Sequence, residues 1–179
     1  MARMFSLGLM LLAWASATPA GGFGRWEIGL KGCSLSQGQM EQPQLRGELE
    51  QDCVRLRLEQ NMEGLLSVRL ITPSANQLFG SRSLVFAGVL AAGQKPMRCG
   101  ADGECKPQWP IRLDVSTVAT NVELDGSPAP TLPRALLAKG KCLLERHRMT
   151  CESRDSSGQH WEAQARFENE AELQFVAVI

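Results

Sequence analysis

Six cysteines, two histidines and a scatter of carboxylates are the residues whose chemistry could go beyond packing. Cys33, Cys53, Cys99, Cys105, Cys142 and Cys151 could ligate a metal as thiolates, exchange disulfides, or cross-link the chain. Zinc sites draw on closely spaced cysteine or histidine pairs, and redox sites on Cys-x-x-Cys. Neither pattern is present, and the tightest spacing is the five residues between Cys99 and Cys105. An even count in an oxidising compartment reads as disulfides. The pairing expected is between neighbours, Cys33 with Cys53, Cys99 with Cys105 and Cys142 with Cys151, with no metal and no cofactor. The last pair follows from geometry. A two-residue turn at Arg146-His147 sets Glu145 opposite Arg148, Leu144 opposite Met149, Leu143 opposite Thr150 and Cys142 opposite Cys151. Counted outward from the turn, that last pair is a non-hydrogen-bonded one, where Cα atoms approach most closely.

Catalysis needs a nucleophile beside a base. His147 falls at the tip of that turn and His160 precedes Trp161 in a strand, and neither is accompanied by a Gly-x-Ser-x-Gly turn. Asp102 with Glu104, and Glu168 with Glu170 and Glu172, read as solvated turn charges. Gly21-Gly22-Phe23-Gly24 is not a strand-to-helix phosphate loop, and Asp102-Gly103 is too short to cage calcium. The chain is therefore expected not to be an enzyme, with a hydrolase as the third and weakest reading.

The most distinctive segment is Gln94 to Pro110, an excursion between two apolar strands that carries its own small disulfide. It combines Lys95, Arg98 and Lys106 with Asp102, Glu104 and Trp109. Prolines and a disulfide cut the entropy lost on docking, which suits a recognition loop. The competing reading is a pinned turn whose Trp109 covers one edge of the core.

Strands must position these groups, because period-two alternation dominates from Arg25 onward. Trp26, Ile28 and Leu30 share a face. Leu56 and Leu58 alternate with arginines, and a three-residue loop at Met62, Glu63 and Gly64 sets Leu58 opposite Val68 and Leu56 opposite Leu70. The composition of Leu45 to Leu58 also admits a helical start. Ser83 to Ala92 reads as a strand buried on both faces. Ile111, Leu113 and Val115 are in one phase and Val118 in the other, so a bulge is expected near Ser116-Thr117. A loop follows at Asp125-Gly126 with Pro128, Pro130 and Pro133, then the disulfide hairpin, a turn at Asp155 to Gly158, and alternation of Trp161, Ala163, Ala165 and Phe167 with polar residues. Leu173 to Ile179 reads as a closing strand. The fold expected is all-β, an antiparallel β-sandwich or meandering β-barrel of short strands, stapled by three local disulfides.

Gly24-Arg25-Trp26 at the first strand resembles the Gly-x-Trp of lipocalins. That resemblance implies a barrel of about this length carrying a small apolar ligand. The family's later Thr-Asp-Tyr-type turn and C-terminal helix have no counterpart in this sequence.

The 179 residues hold 19 basic and 19 acidic side chains, so no global field draws the chain to nucleic acid. Residues 1–20 read as a cleaved secretory signal peptide, with Arg3, an apolar run from Met4 to Ala15, and cleavage after Ala17 or Ala20. Residues 21–179 then form a single domain with no integral membrane span. An outer-membrane barrel does not fit, because no tyrosine is present for aromatic girdles and the outward strand faces are charged. The absence of an Asn-x-Ser/Thr site favours a bacterial envelope, so the chain is expected in the periplasm or secreted. The function expected is a non-enzymatic β-domain that binds an envelope or host macromolecule, of accessory, adaptor or inhibitor type, through Gln94 to Pro110. A lipocalin-like carrier of a small apolar ligand is the alternative.

Overall fold

Alternating apolar residues bounded by turn residues give, among the described residues, eleven antiparallel strands: β1 (Gly24–Gly29), β2 (Gly32–Gln39), β3 (Arg55–Met62), β4 (Leu65–Pro73), β5 (Ser81–Leu90), β6 (Arg98–Cys99), β7 (Cys105–Lys106), β8 (Ile111–Glu123), β9 (Arg134–Leu144), β10 (Arg148–Asp155) and β11 (Gln159–Arg166). The computed structural model describes residues 23–39, 53–62, 64–73, 81–123 and 134–168, and no helix occurs among them. The expected signal segment, the helix-admitting stretch before Cys53, the loop around Asp125 and the strand at Leu173 to Ile179 lie outside the described residues.

Nine strands form one sheet in the order β1-β3-β4-β5-β8-β9-β10-β11-β2, and β6-β7 is a separate hairpin. A single sheet sets aside the sandwich alternative. The two edge strands are consecutive in the chain, separated by Leu30 and Lys31 alone. The Leu30 N–H donates to the Val54 carbonyl beside β3 (2.9 Å), and the Lys31 N–H donates to the Arg166 carbonyl at the end of β11 (2.8 Å). One bent segment thus borders both ends of the strand order. The sheet must curl to allow this, and the result is a half-barrel.

The local registers follow the sequence. Leu58 faces Val68 and Leu56 faces Leu70, with Gly64 at φ +83° in the turn. Cys142 faces Cys151 and Leu144 faces Met149, and the Glu145 N–H donates to the Arg148 carbonyl. Against β5 the phase switch in β8 is a bulge at Ser116, where Gly88 and Ala87 face Val115 and Thr117; the register with β9 breaks at the same place, but there β9 carries the extra residue, running from Gly140 to Leu137. Val115 lies between Gly88 and Gly140 on those neighbours. A Cβ on Gly88 would strike the Asp114 carbonyl and one on Gly140 the Glu152 carbonyl, so both positions need glycine for the sheet to turn this sharply. Two strands exceed expectation. β2 was not anticipated, because its sequence, Gly-Cys-Ser-Leu-Ser-Gln-Gly-Gln, has few β-branched or aromatic residues, and β9 begins ten residues before Leu144.

The inner face holds the core: Leu56, Leu58, Leu70, Phe86, Leu113, Leu144, Met149, Trp161 and Phe167 are almost wholly buried. Each large apolar side chain so removed from water contributes about 1.5–3 kcal/mol. All three disulfides pair neighbouring cysteines, with Cα–Cα separations of 5.4, 3.9 and 4.1 Å for Cys33–Cys53, Cys99–Cys105 and Cys142–Cys151. Cys33–Cys53 is local only in sequence. It joins β2, at one end of the strand order, to the residues leading into β3, second from the other end.

Candidate functional site

Gln94 to Pro110 connects β5 to β8 across one end of the half-barrel and is built from the inside outward. Met97 is 2% exposed and belongs to the core cluster. Its N–H donates to Gln60 Oε1 (2.7 Å), and its carbonyl accepts from Gln60 Nε2 (3.3 Å). Gln60 is itself buried on β3, in phase with Leu56 and Leu58. A buried amide paired on both its ends has no unmet hydrogen bond to offset the contact. Gln108 Nε2 donates to the Pro96 carbonyl (2.6 Å) and the Arg112 N–H to Gln94 Oε1 (3.0 Å), drawing the two arms of the loop together.

The hairpin at the loop's tip is bound to β1. The Arg25 N–H donates to the Gly103 carbonyl (2.9 Å), and Arg25 bridges Glu104. Gly24 lies so near the Gly103 carbonyl and Cys105 Sγ that any larger residue there would displace the loop. Trp109 packs edge-on against Trp26 (centroids 5.4 Å) and lies 6.0 Å from Phe167, while Trp26 and Phe167 are 5.9 Å apart. The aromatic of the Gly-x-Trp sequence therefore meets the loop at this end of the sheet. The competing reading of Trp109 as cover for the core describes its inward side, so the loop is a plug as well as an excursion.

The outward side is polar. Lys95, Arg98, Asp102, Glu104 and Lys106 are all exposed, whereas Trp109 is half-buried. Asp102 Oδ1 accepts the Glu104 N–H (3.0 Å), which fixes the tip together with Gly103 at φ +80°. Arg98 and Lys106 stand directly opposite each other in β6-β7. Beside the loop, Trp109 and Pro110 border an open depression of about 430 Å³ with Glu145, Arg146, His147 and Arg148. There the Arg148 guanidinium bonds the Glu145 carboxylate and holds its pKa below the usual carboxylate range. The structure thus brings the β9-β10 turn to the loop, a proximity that the local sequence pattern does not record. Gln60 has only a faint signal in the sequence, a polar residue in an inward phase.

The two histidines lie on different elements, His147 in the β9-β10 turn and His160 on β11. His147 is exposed, and its carbonyl accepts the Phe167 N–H (3.0 Å). His160 and the buried Ser153 lie on strands of one ladder, in which Ser153 pairs with Trp161 and Arg154 with His160. Ser153 and His160 therefore face opposite sides of the sheet. Two buried polar atoms on the inner face, Ser153 Oγ and Trp161 Nε1, have no hydrogen-bond partner among the described residues. They belong to cross-strand neighbours, in the part of β10 and β11 away from the plug. On the outer face of the same strands Glu152 opposes Glu162, with Lys141 in register on the other side of Glu152.

Among the described residues no helix is long and apolar enough to cross a membrane. Fold and site together define a disulfide-stapled half-barrel with one plugged end. No protein-family model, curated protein or solved structure matches the chain.

Proposed function

We propose that this is a non-enzymatic β-domain of an oxidising extracytoplasmic compartment, the bacterial periplasm by preference, that binds a macromolecular partner through its plugged end. One observation carries the reading: the Gln94 to Pro110 loop is held from within by Gln60, Gly24 and Trp26 while five charged side chains project outward. A surface ordered before binding loses little entropy on docking. Three disulfides fit an oxidising compartment. Cross-linking pulldown with the wild-type chain, and with a variant replacing Arg98, Asp102, Glu104 and Trp109 together, tests it. The partner is expected to be lost from the variant, and an unchanged set of partners would refute the loop as the contact.

Carriage of a small ligand is the second reading, favoured by the unpartnered Ser153 Oγ and Trp161 Nε1 on the inner face. Buried donors without acceptors are costly, at about 1–3 kcal/mol each, and a ligand oxygen would satisfy them. Native mass spectrometry should then show a co-purified small molecule that S153A releases. A mass equal to that of the bare chain removes this reading.

A further inference from the structure

We infer that the partner of the plugged end is an acidic polypeptide segment. Its carboxylates bridge Arg98 and Lys106, and a nearby apolar side chain enters the depression beside Trp109 and Pro110. The inference rests on the loop being the contact and adds the chemistry of what it contacts.

Arg98 and Lys106 are directly opposed across β6-β7, so both side chains leave the same face. The adjacent pair is the Cys99–Cys105 disulfide, with Cα atoms 3.9 Å apart, which prevents the two strands from separating. Like charges directly opposed across a ladder are unfavourable. Neither side chain forms an ion pair with any described residue. Of the nearby carboxylates, Glu145 is bound by Arg148, whereas Asp102, whose Oδ1 accepts the Glu104 N–H, and Glu104 keep their negative charge at the exposed tip without pairing with Arg98 or Lys106. Lys95 and Arg146 add two more exposed cations without an ion-pair partner among the described residues. A chain with equal numbers of acids and bases has thus gathered a positive excess at one end, where Lys95, Arg98, Lys106 and Arg146 outnumber Asp102 and Glu104.

A guanidinium and an ammonium side by side present several donors to one carboxylate. The depression of about 430 Å³ bordered by Trp109, Pro110 and Arg146 offers an apolar seat on the same loop, with Trp109 three residues along the chain from Lys106. A partner that uses both must carry carboxylates and an apolar side chain within a few residues, as a polypeptide does. A bare polyanion supplies only the charge.

The test is fluorescence anisotropy of a short labelled peptide of glutamates around a central leucine, against the purified full chain after signal removal. A peptide with glutamine for every glutamate, phosphatidylglycerol vesicles and heparin serve as comparisons. The glutamate peptide is expected to bind, to weaken with added salt, and to lose about tenfold or more in affinity with R98Q/K106Q. R146Q gives a smaller loss on a different element, and D102N/E104Q tightens binding by removing negative charge. Equal binding of the glutamine peptide, unchanged affinity in R98Q/K106Q, or binding of vesicles or heparin without the peptide would each overturn the inference. A cross-linked partner that R98Q/K106Q retains but the fourfold loop variant loses overturns the acidic partner and leaves the loop reading standing. A partner retained by the fourfold variant overturns the loop reading itself.

Discussion

Two regions of this molecule place a pair of cations directly opposite each other across an antiparallel ladder, and they resolve the conflict differently. On the outer face of the sheet, Arg57 of β3 opposes Arg69 of β4. Glu27 of β1, in register with Arg57, binds Arg57 at 2.5 Å and Arg55 at 2.9 Å. Glu59 reaches Arg57 at 3.7 Å and Arg69 at 3.6 Å. Burial raises the Glu27 pKa, but the two guanidiniums outweigh it and hold the carboxylate below its ordinary value. In the plug, Arg98 opposes Lys106, and neither pairs with a carboxylate among the described residues. In the sheet, the flanking β1 and β3 itself each deliver a carboxylate between the arginines. The β6-β7 hairpin meets β1 only through its tip and Glu104, and leaves the charge of Arg98 and Lys106 for a partner or for solvent.

The largest expected effect tests whether the plug is as firmly built as the sheet. Met97→Ala removes a core side chain of the loop and should cost about 2–5 kcal/mol in urea denaturation. A loss below 1 kcal/mol would make the loop an appendage and end the comparison. Replacing both Cys99 and Cys105 by serine should cost roughly 2 kcal/mol for so short a loop. Amide exchange should accelerate in β6-β7 while the β3-β4 ladder keeps its protection; acceleration throughout would mean that the two regions are not separable.

Glu27→Gln removes the shared counter-ion of the sheet's arginines. These groups are partly exposed, so about 1 kcal/mol or less is expected. The pH dependence has a definite sign. A carboxylate whose pKa is lower in the folded state adds stability at pH above its unfolded value, near 4, and loses it as pH falls through the folded value. Wild type should lose this increment on acidification below about pH 4, and the glutamine variant should lack it. Arg98→Glu is the smallest and sharpest case. It turns an opposed like pair into an opposite one, so stability should stay within about 0.5 kcal/mol or rise slightly. A clear loss would show that Arg98 already has a counter-ion within the chain.

Much of the fold was legible because its signals are local. Leu56 and Leu58 alternate with arginines and meet Val68 and Leu70 through a glycine turn, so pattern and turn chemistry specify the same register. The Cys142–Cys151 pairing follows from counting away from Arg146-His147, and Ser116 was marked by the break in phase between Val115 and Val118. β2 was not legible, since its glycines, serines and glutamines become a strand by pairing with β11 rather than by their own preference. The site was half legible. Its charged residues could be named from the sequence, but the Gln60 clamp on Met97, 37 residues away, and the turn at Glu145 to Arg148 could not.

The sequence by itself determined the strand character, the hairpin registers and the Cys142–Cys151 pairing, because each depends on residues close in the chain and on a two-residue period. Only the tertiary structure decided that the sheet curls until β1 and β2 border its two ends, and that Cys33–Cys53 thereby joins β2 to the start of β3. The same curl carries the loop over one end, buries Met97 and leaves Arg98 and Lys106 outside. These outcomes depend on closure among distant strands, set by twist, the Ser116 bulge and the glycines at positions 88 and 140, and no local pattern records them.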